Sequence, residues 1–323
     1  MSGLTAFFRL IRFTNLIIIA LIIFLTRFCL VSPLSDLMGI PACLTDLHWY
    51  LITLATVAIA ASGNVINDIM DQDIDAINKP GRLIVGKMIS ENTSWNIFYG
   101  LTIIGLVSGI WVAELVSSDY HGMVFIFCSG SLWFYAQHFK GQFLIGNLTI
   151  ALLGALVLLV PFFMEYRCTM DNETIAKAVS NHGGRITFPW QGFIFMFAGF
   201  SFVTTLIREI IKDMQDMDGD RKEGANTIPI ALGFSGAKWI SILLTITLMV
   251  GVGMMQSIRF SSGDQITFYY LIAGVQIPSL VLIVLLFTGQ IPSDMKAPSK
   301  LVKLIMLGGI LSMLTLRYSF LNA

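Results

Sequence analysis

Charge is what this sequence has least of. Only 12% of its 323 residues are Asp, Glu, Lys or Arg, about half the density of a soluble domain. Twenty basic residues against twenty acidic ones leave a formal net charge of zero, so there is no electrostatic case for nucleic acid as a partner. Histidine is scarce, at four, and so is cysteine, at four. Cys29, Cys43, Cys128 and Cys168 show no CxxC spacing and are read as small apolar packing residues. There is no low-complexity tract and no hydrophilic second domain.

Apolar residues fill the space that charge leaves. They make up 55% of the chain, the mean hydropathy is +0.78, and runs near 20 residues recur throughout. Backbone groups in lipid must bond internally, so such runs should be helices. The expected fold is a single all-α integral membrane domain over 1–323. Nine spans are expected: 13–31, 49–67, 96–116, 122–138, 143–164, 190–212, 237–256, 267–287 and 301–320. The first resembles a signal peptide, with Arg9 and Arg12 ahead of it, but no small-residue cleavage site follows and we expect it to be retained. The segment from Glu165 to Pro189 is read as a polar, irregular outer loop.

Lys and Arg near the span ends set the orientation. Arg9, Arg12, Lys79, Arg82, Lys87, Lys140, Lys212, Arg221, Lys222, Lys238, Lys296, Lys300 and Lys303 fall on one side. The opposite side carries only Arg27, Arg167, Lys177, Arg185, Arg259 and Arg317. The first side is therefore expected to be cytoplasmic, in a cell (inner) membrane, with the N-terminus inside. Cys43 and Cys168 both fall outside, which leaves a disulfide between them open.

Two acidic stretches interrupt this apolar background. The first is NVINDIMDQDIDAINKPGR, residues 64–82. If the second helix runs on through it, Asn67, Asp71 and Asp75 lie at i, i+4 and i+8, so three oxygen ligands share one stripe. Asp68 and Asp73 flank the stripe, and Lys79-Pro80-Gly81 stops the helix. The second is REIIKDMQDMDGDRKEG, residues 208–224. There Glu209, Asp213, Asp216 and Asp220 also share a face. Both stretches land on the predicted cytoplasmic side, at the ends of helices 2 and 6, although the charge rule made no use of them. They are four helices apart, which suggests two four-helix pseudo-repeats plus a ninth helix.

Carboxylate and amide oxygens without histidine or cysteine suit a hard cation. Magnesium in particular is held by a few carboxylates together with substrate phosphate oxygens. Two facing clusters would hold a diphosphate between them, with Lys79, Arg82, Lys140, Arg208, Lys212 and Arg221 as further phosphate contacts. The bilayer supplies an apolar tunnel for a hydrocarbon tail. These parts point to ionisation of an allylic diphosphate and capture of the carbocation by a second substrate, with water excluded. A solvated acidic helix end explains either stretch alone; two on one side with the same rhythm argue against it. Asp216 does not open an EF-hand, because its positions 6 and 12 hold Arg221 and Thr227. Arg208 and Lys212 have a second reading as ion-pair partners of Glu209 and Asp213.

Asn67-x3-Asp71-x3-Asp75 and Asp216-x3-Asp220 resemble the two aspartate motifs of UbiA-type intramembrane prenyltransferases. The placement of the motifs after helices 2 and 6 is similar too, and the resemblance implies nine helices around a central cavity. It implies that Asn67, Asp71, Asp75, Asp216 and Asp220 hold magnesium and diphosphate, with Asp68 and Asp213 accessory. Lys79 and Arg82 resemble the basic loop after the first motif. Tyr135, Lys140 and Asn147 resemble the polar cluster between helices 4 and 5, and Arg12 and Asn15 the helix-1 polar positions. Phe13 after Arg12, and Leu83 after Arg82, depart from the family's Arg-Pro pairs without removing a ligand. REIIKDMQDMDGDRKEGANTIPI is similar to the second-motif region of digeranylgeranylglyceryl phosphate synthases. The implied donor is a polyprenyl diphosphate. The implied acceptor is a lipophilic molecule drawn from membrane lipid, either geranylgeranylglyceryl phosphate or, alternatively, an aromatic quinone precursor or tetrapyrrole. A cation-coupled transporter is the rival of another class, but its sites sit near the bilayer midplane, not at helix ends on one side.

Overall fold

The computed structural model describes residues 3–39, 41–72, 83–173, 190–222 and 224–322. Every regular element among them is helical; the sole extended pairing among them is a lone bridge between Val85 and Ile89. In chain order the helices are α1 (Gly3–Leu10), α2 (Phe13–Leu25), α3 (Ser32–Met38), α4 (Asp46–Met70), α5 (Glu91–Leu115), α6 (Asp119–Phe134), α7 (Ile145–Asp171), α8 (Gln191–Lys222), α9 (Ile228–Ser261), α10 (Gln265–Leu271), α11 (Ile277–Thr288) and α12 (Lys296–Leu321). Three π-helical turns extend them: Thr26–Val31 joins α2 to α3, Tyr135–Phe139 continues α6, and Ile272–Gln276 joins α10 to α11.

Among the described residues, eight helices are long and apolar enough to cross a membrane. They match the expected spans save 122–138, where α6 is short but runs on into its π-turn. The architecture is that of an all-α integral membrane protein. Three expectations about helix ends change. Helix α4 stops at Met70, with Asp71 as its C-cap, short of the stop expected at Lys79-Pro80-Gly81. Helix α7 continues to Asp171, so the first residues assigned to an irregular outer loop are helical. Helix α8 runs ten residues past its expected end at 212, to Lys222, because REIIKDMQDMDGDRK contains no proline and keeps carboxylates and bases at helical spacing.

The chain divides into two compact units. One comprises Met1–Phe24, Ile40–Lys140 and Leu159–Thr187. Within it α4 packs along α5 and α6. Gly105 and Gly109, one turn apart on α5, make the close approach possible: a Cβ at Gly105 would stand 2.6 Å from Ile59 Cγ1, and one at Gly109 2.5 Å from the Phe125 ring. Small residues at i, i+4 are the usual way to bring membrane helices together. Leu10, Ile11, Leu16, Val65, Ile66, Ile69 and Phe98 bury a core beneath the end of α4, which fixes where α1 and α2 meet that helix.

Cys43 and Cys168 form a disulfide in this unit, with Cα atoms 5.8 Å apart. That corrects the reading of all four cysteines as packing residues: two are bonded, and only Cys29 and Cys128 are free. Spacing gave no signal because the partners are 125 residues apart. Beside the bond, the buried Glu165 carboxylate accepts from the Cys43 and Leu44 backbone amides, the latter at 3.1 Å.

The second unit comprises Leu25–Gly39, Gly141–Leu158 and Phe188–Ala323. Helix α8 packs against α9, α12 and the 3-10 turn Pro292–Met295. Its Gln215 donates to the Met295 carbonyl at 2.5 Å. Helix α9 kinks at Gly233, whose φ of 75° lies in the left-handed region. Beyond the kink, buried Lys238 places Nζ 3.4 Å from the Phe287 carbonyl and 3.3 Å from that of Gly289. It thus satisfies carbonyls at the C-terminal end of α11, where a cation is favoured. Gly308 on α12 lies so close to the π-turn that an added Cβ would come within 2.3 Å of the Gly274 carbonyl oxygen.

Candidate functional site

The first acidic cluster sits where α4 ends. Asp71 closes the helix with φ −87° and ψ 6°, and its amide still bonds to the Asn67 carbonyl at 3.0 Å. The i, i+4 spacing brings the two side chains together: Asn67 Nδ2 donates to Asp71 Oδ2 at 2.7 Å. Asp71 is buried, and the Lys140 ammonium donates to the same oxygen. A buried carboxylate needs such a counter-charge.

The π-turn Tyr135–Phe139 places that lysine. Its wider winding ends in a bond from the Lys140 amide to the Tyr135 carbonyl, five residues back, at 3.0 Å. Extra residues of this kind inside helices recur at functional sites. Tyr135 on the same turn is half-buried. Asp68, beside the stripe, pairs with Arg12 at 2.9 Å. Asn15 lies exposed three residues further on, its amide bonded to the Arg12 carbonyl at 2.8 Å. Asp75, Lys79 and Arg82 fall outside the described residues, as does Asp73.

The second cluster lies along the last third of α8. Asp213 Oδ2 accepts from Asn147 Nδ2 at 2.7 Å, and Asn147 is itself buried near the start of α7. Arg208 pairs with its neighbour Glu209 at 2.6 Å, the ion-pair alternative in the sequence reading. Lys212, Asp216 and Asp220 are half-buried. The helix passes into the next loop through a bond from the Ala225 amide to the Asp220 carbonyl at 3.0 Å.

The structure thus repeats one device in both units: an amide side chain holds a carboxylate on an acidic helix face. The ligand atoms each cluster offers are carboxylate and amide oxygens, which fits a hard cation such as magnesium. Among the described residues no three His, Cys, Asp or Glu side chains stand close enough to form a metal centre by themselves.

Sequence reasoning passed over two residues here. Asn64, one turn before Asp68, donates Nδ2 to the Ile11 carbonyl at 3.0 Å; its i, i+4 relation to Asp68 was the available signal. Arg9 lines a crevice with Arg12 and Asn15, and had counted only as a topology marker.

Comparison with known proteins agrees with this architecture. A digeranylgeranylglyceryl phosphate synthase of Methanobrevibacter smithii is 34% identical over 214 residues, 66% of this chain and 67% of that protein. The enzyme of the same name from Methanosphaera stadtmanae is 35% identical over 201 residues, 61% of this chain and 63% of that protein; the chain therefore matches less than two thirds of this second relative's length. A solved structure of digeranylgeranylglyceryl phosphate synthase in membranes superposes with a TM-score of 0.61 and 22% identity over all of both chains. A UbiA homologue from Archaeoglobus fulgidus, bound to DMAPP and Mg2+, superposes with a TM-score of 0.54 and 14% identity, covering 95% of this chain and 98% of that one. These superpositions speak for the fold. The sequence profile described as the UbiA prenyltransferase family matches residues 37–305, a stretch that contains both acidic clusters, and the chain accordingly belongs to that family.

Proposed function

We propose that this prenyltransferase moves a geranylgeranyl group from geranylgeranyl diphosphate to geranylgeranylglyceryl phosphate. Family membership makes the chain an enzyme and sets aside the transporter. The acceptor and chain length come from the names of the methanogen relatives and from the likeness of the second acidic stretch to theirs. The observation that carries the mechanism is the paired amide–carboxylate contact, Asn67 to Asp71 and Asn147 to Asp213. It holds acid side chains in fixed orientations before any substrate arrives, so that they would hold the cations that neutralise the leaving diphosphate.

In this reading Asn67, Asp71, Asp75, Asp213, Asp216 and Asp220 hold magnesium. The A. fulgidus homologue carries Mg2+ with its prenyl diphosphate. When bound, the metal draws charge onto the diphosphate as the allylic C–O bond breaks. Lys140 orients Asp71 by donating to its carboxylate, and with Lys79, Arg82, Arg208 and Lys212 supplies cations for phosphate oxygens. Tyr135, Asn147 and Asn15 are polar contacts for the two substrates, with Asp68 holding Arg12 among them. The acceptor hydroxyl oxygen adds to the cation and its proton passes to the released diphosphate, while the surrounding apolar helices keep water out.

Orientation follows from two supports that do not depend on each other. The sequence reading puts most Lys and Arg on the side where it expects both acidic stretches. The Cys43–Cys168 disulfide lies at the other ends of α4 and α7, and such bonds persist in oxidising compartments. We place the clusters on the cytoplasmic face of a cell membrane.

The test is product formation in detergent, with magnesium and radiolabelled geranylgeranyl diphosphate. The acceptor panel is geranylgeranylglyceryl phosphate, 4-hydroxybenzoate, a naphthoate and a chlorophyllide. A magnesium-dependent product with the glyceryl phosphate alone supports the full reading; an aromatic product keeps the mechanism and discards the acceptor. Asp71→Asn and Asp216→Asn should each abolish product while folded protein remains. Wild-type turnover in either variant would sink the metal assignment.

A further inference from the structure

We infer that the elbow between α1 and α2 binds the phosphate monoester of the lipid acceptor, with Arg9 and Arg12 as its cations. This rests on the prenyl-transfer reading above and names the site for its second substrate.

A crevice of about 510 Å3 lies at the elbow. Its polar wall residues are Thr5, Arg9, Arg12 and Asn15. Its aromatic wall residues are Phe8 and Phe13, whose ring centroids stand 4.8 Å apart. Two guanidinium groups, a hydroxyl and an amide offer a dense set of donors, and Arg matches phosphate oxygens in pairs. The aromatic wall suits the glycerol carbons and the first methylenes of a chain. A lipid with a phosphate head meets both walls.

The backbone gives a second, independent indication. Arg12 has φ 53°, a left-handed conformation that a long side chain adopts only where its surroundings impose it. The surroundings are the motif helix. Asn64 holds the Ile11 carbonyl at 3.0 Å, and Asp68 holds Arg12 Nη2 at 2.9 Å. Two residues one turn apart on α4 therefore clamp the strained elbow. Strain at a functional position is maintained when the rest of the site depends on it. Asp68 immediately follows Asn67 and precedes Asp71 by one turn, so the clamp joins the crevice to the first acidic cluster. An acceptor seated there is delivered beside the donor's diphosphate. The acidic stripe repels a phosphate that brings no metal with it, so the two anions are sorted to separate places.

The experiment measures each substrate separately, on the full chain in detergent with magnesium. Arg9→Met should raise the KM for geranylgeranylglyceryl phosphate about tenfold, the effect of one charge-assisted bond, with the donor KM unchanged. Arg9→Lys should recover most of that loss. In the wild type, inorganic phosphate should compete with the acceptor and not with the donor, and geranylgeranylglycerol, which lacks the phosphate, should bind weakly and be indifferent to Arg9→Met. Acceptor binding without donor, followed by tryptophan fluorescence, makes the outcome independent of turnover. If Arg9→Met binds the acceptor as the wild type does, or loses donor affinity equally, the site is overturned. Loss of acceptor binding restored by lysine upholds it, even if the wild type proves to make no product and the prenyl-transfer reading falls.

Discussion

Replacing Lys140 with methionine should destabilise the protein in a way that magnesium repairs. Methionine keeps most of the length of the stem and removes the charge. Asp71 would then stand buried with only the Asn67 bond at 2.7 Å. The lysine side chain is 33% exposed and the aspartate 9%, so the pair lies between two regimes. Exposed ion pairs contribute roughly 0.2–1 kcal/mol, whereas removing one partner of a fully buried pair costs about 3–5 kcal/mol. With one hydrogen bond retained, about 2 kcal/mol is the expected loss. For a chain of this size that lowers the Tm by about 4 °C. A divalent cation at Asp71 replaces the missing ammonium, so the gap should narrow when EDTA is exchanged for magnesium. The assay is thermal unfolding in detergent under both conditions, with donor KM measured in parallel and expected to rise about tenfold through the lost phosphate contact. A variant as stable as wild type in EDTA would refute the role of the ion pair. A gap unchanged by magnesium would remove Asp71 from the metal site.

Three further outcomes follow from other parts of the molecule. Gly308→Ala would drive a Cβ to 2.3 Å from the Gly274 carbonyl oxygen; backbone cannot swing aside, so about 2 kcal/mol should be lost, and an unchanged Tm would contradict the close approach. Cys43→Ser should cost about 2–4 kcal/mol, less than the roughly 5 kcal/mol of closing a free loop this long, because membrane insertion already confines both ends; free-thiol titration before and after reduction checks the bond itself. Asp264, in the turn before α10, is buried, which pushes its carboxyl up, but bonds from the Thr267 amide and Arg259, each at 3.0 Å, bring it below its usual 3.8. Its folded pKa lies under the unfolded value, so its contribution is present above about pH 3.8 and vanishes as pH falls through the lower folded value. Asp264→Asn should flatten that acid limb of the stability curve, and an identical limb in the variant would argue against the assignment.

The helices were legible because lipid permits little else: a run such as 49–67 has no way to satisfy its amides except by coiling. The acidic faces were legible for a related reason, since carboxylates at i, i+4 on an apolar helix draw notice. Asn67 and Asp71 do meet as their spacing implies. Contacts between distant segments were harder. Nothing in the spacing of Cys43 and Cys168 separates a bonded pair from two packing residues, because bonding depends on which helix ends become neighbours. The Asn64–Ile11 bond was hidden for another reason: its acceptor is a backbone carbonyl, which every residue carries. The π-turn that places Lys140 was equally invisible, since one extra residue in a helix leaves no mark on an apolar pattern.

The bond between Cys43 and Cys168 also has a meaning for how the molecule is made. After the first cysteine, the ribosome must complete α4, α5, α6 and most of α7 before the second emerges, so the thiol at 43 waits, reduced and unpaired, through that whole interval. Once closed, the bond turns residues 43–168 into a ring. A protease that cuts within the ring, for instance in the segment between α4 and α5, leaves two pieces that still migrate as one until a reductant parts them. Cells or cell-free systems without an oxidising outer compartment would yield the open form, and a preparation can be sorted into ring and open chain before any activity is measured.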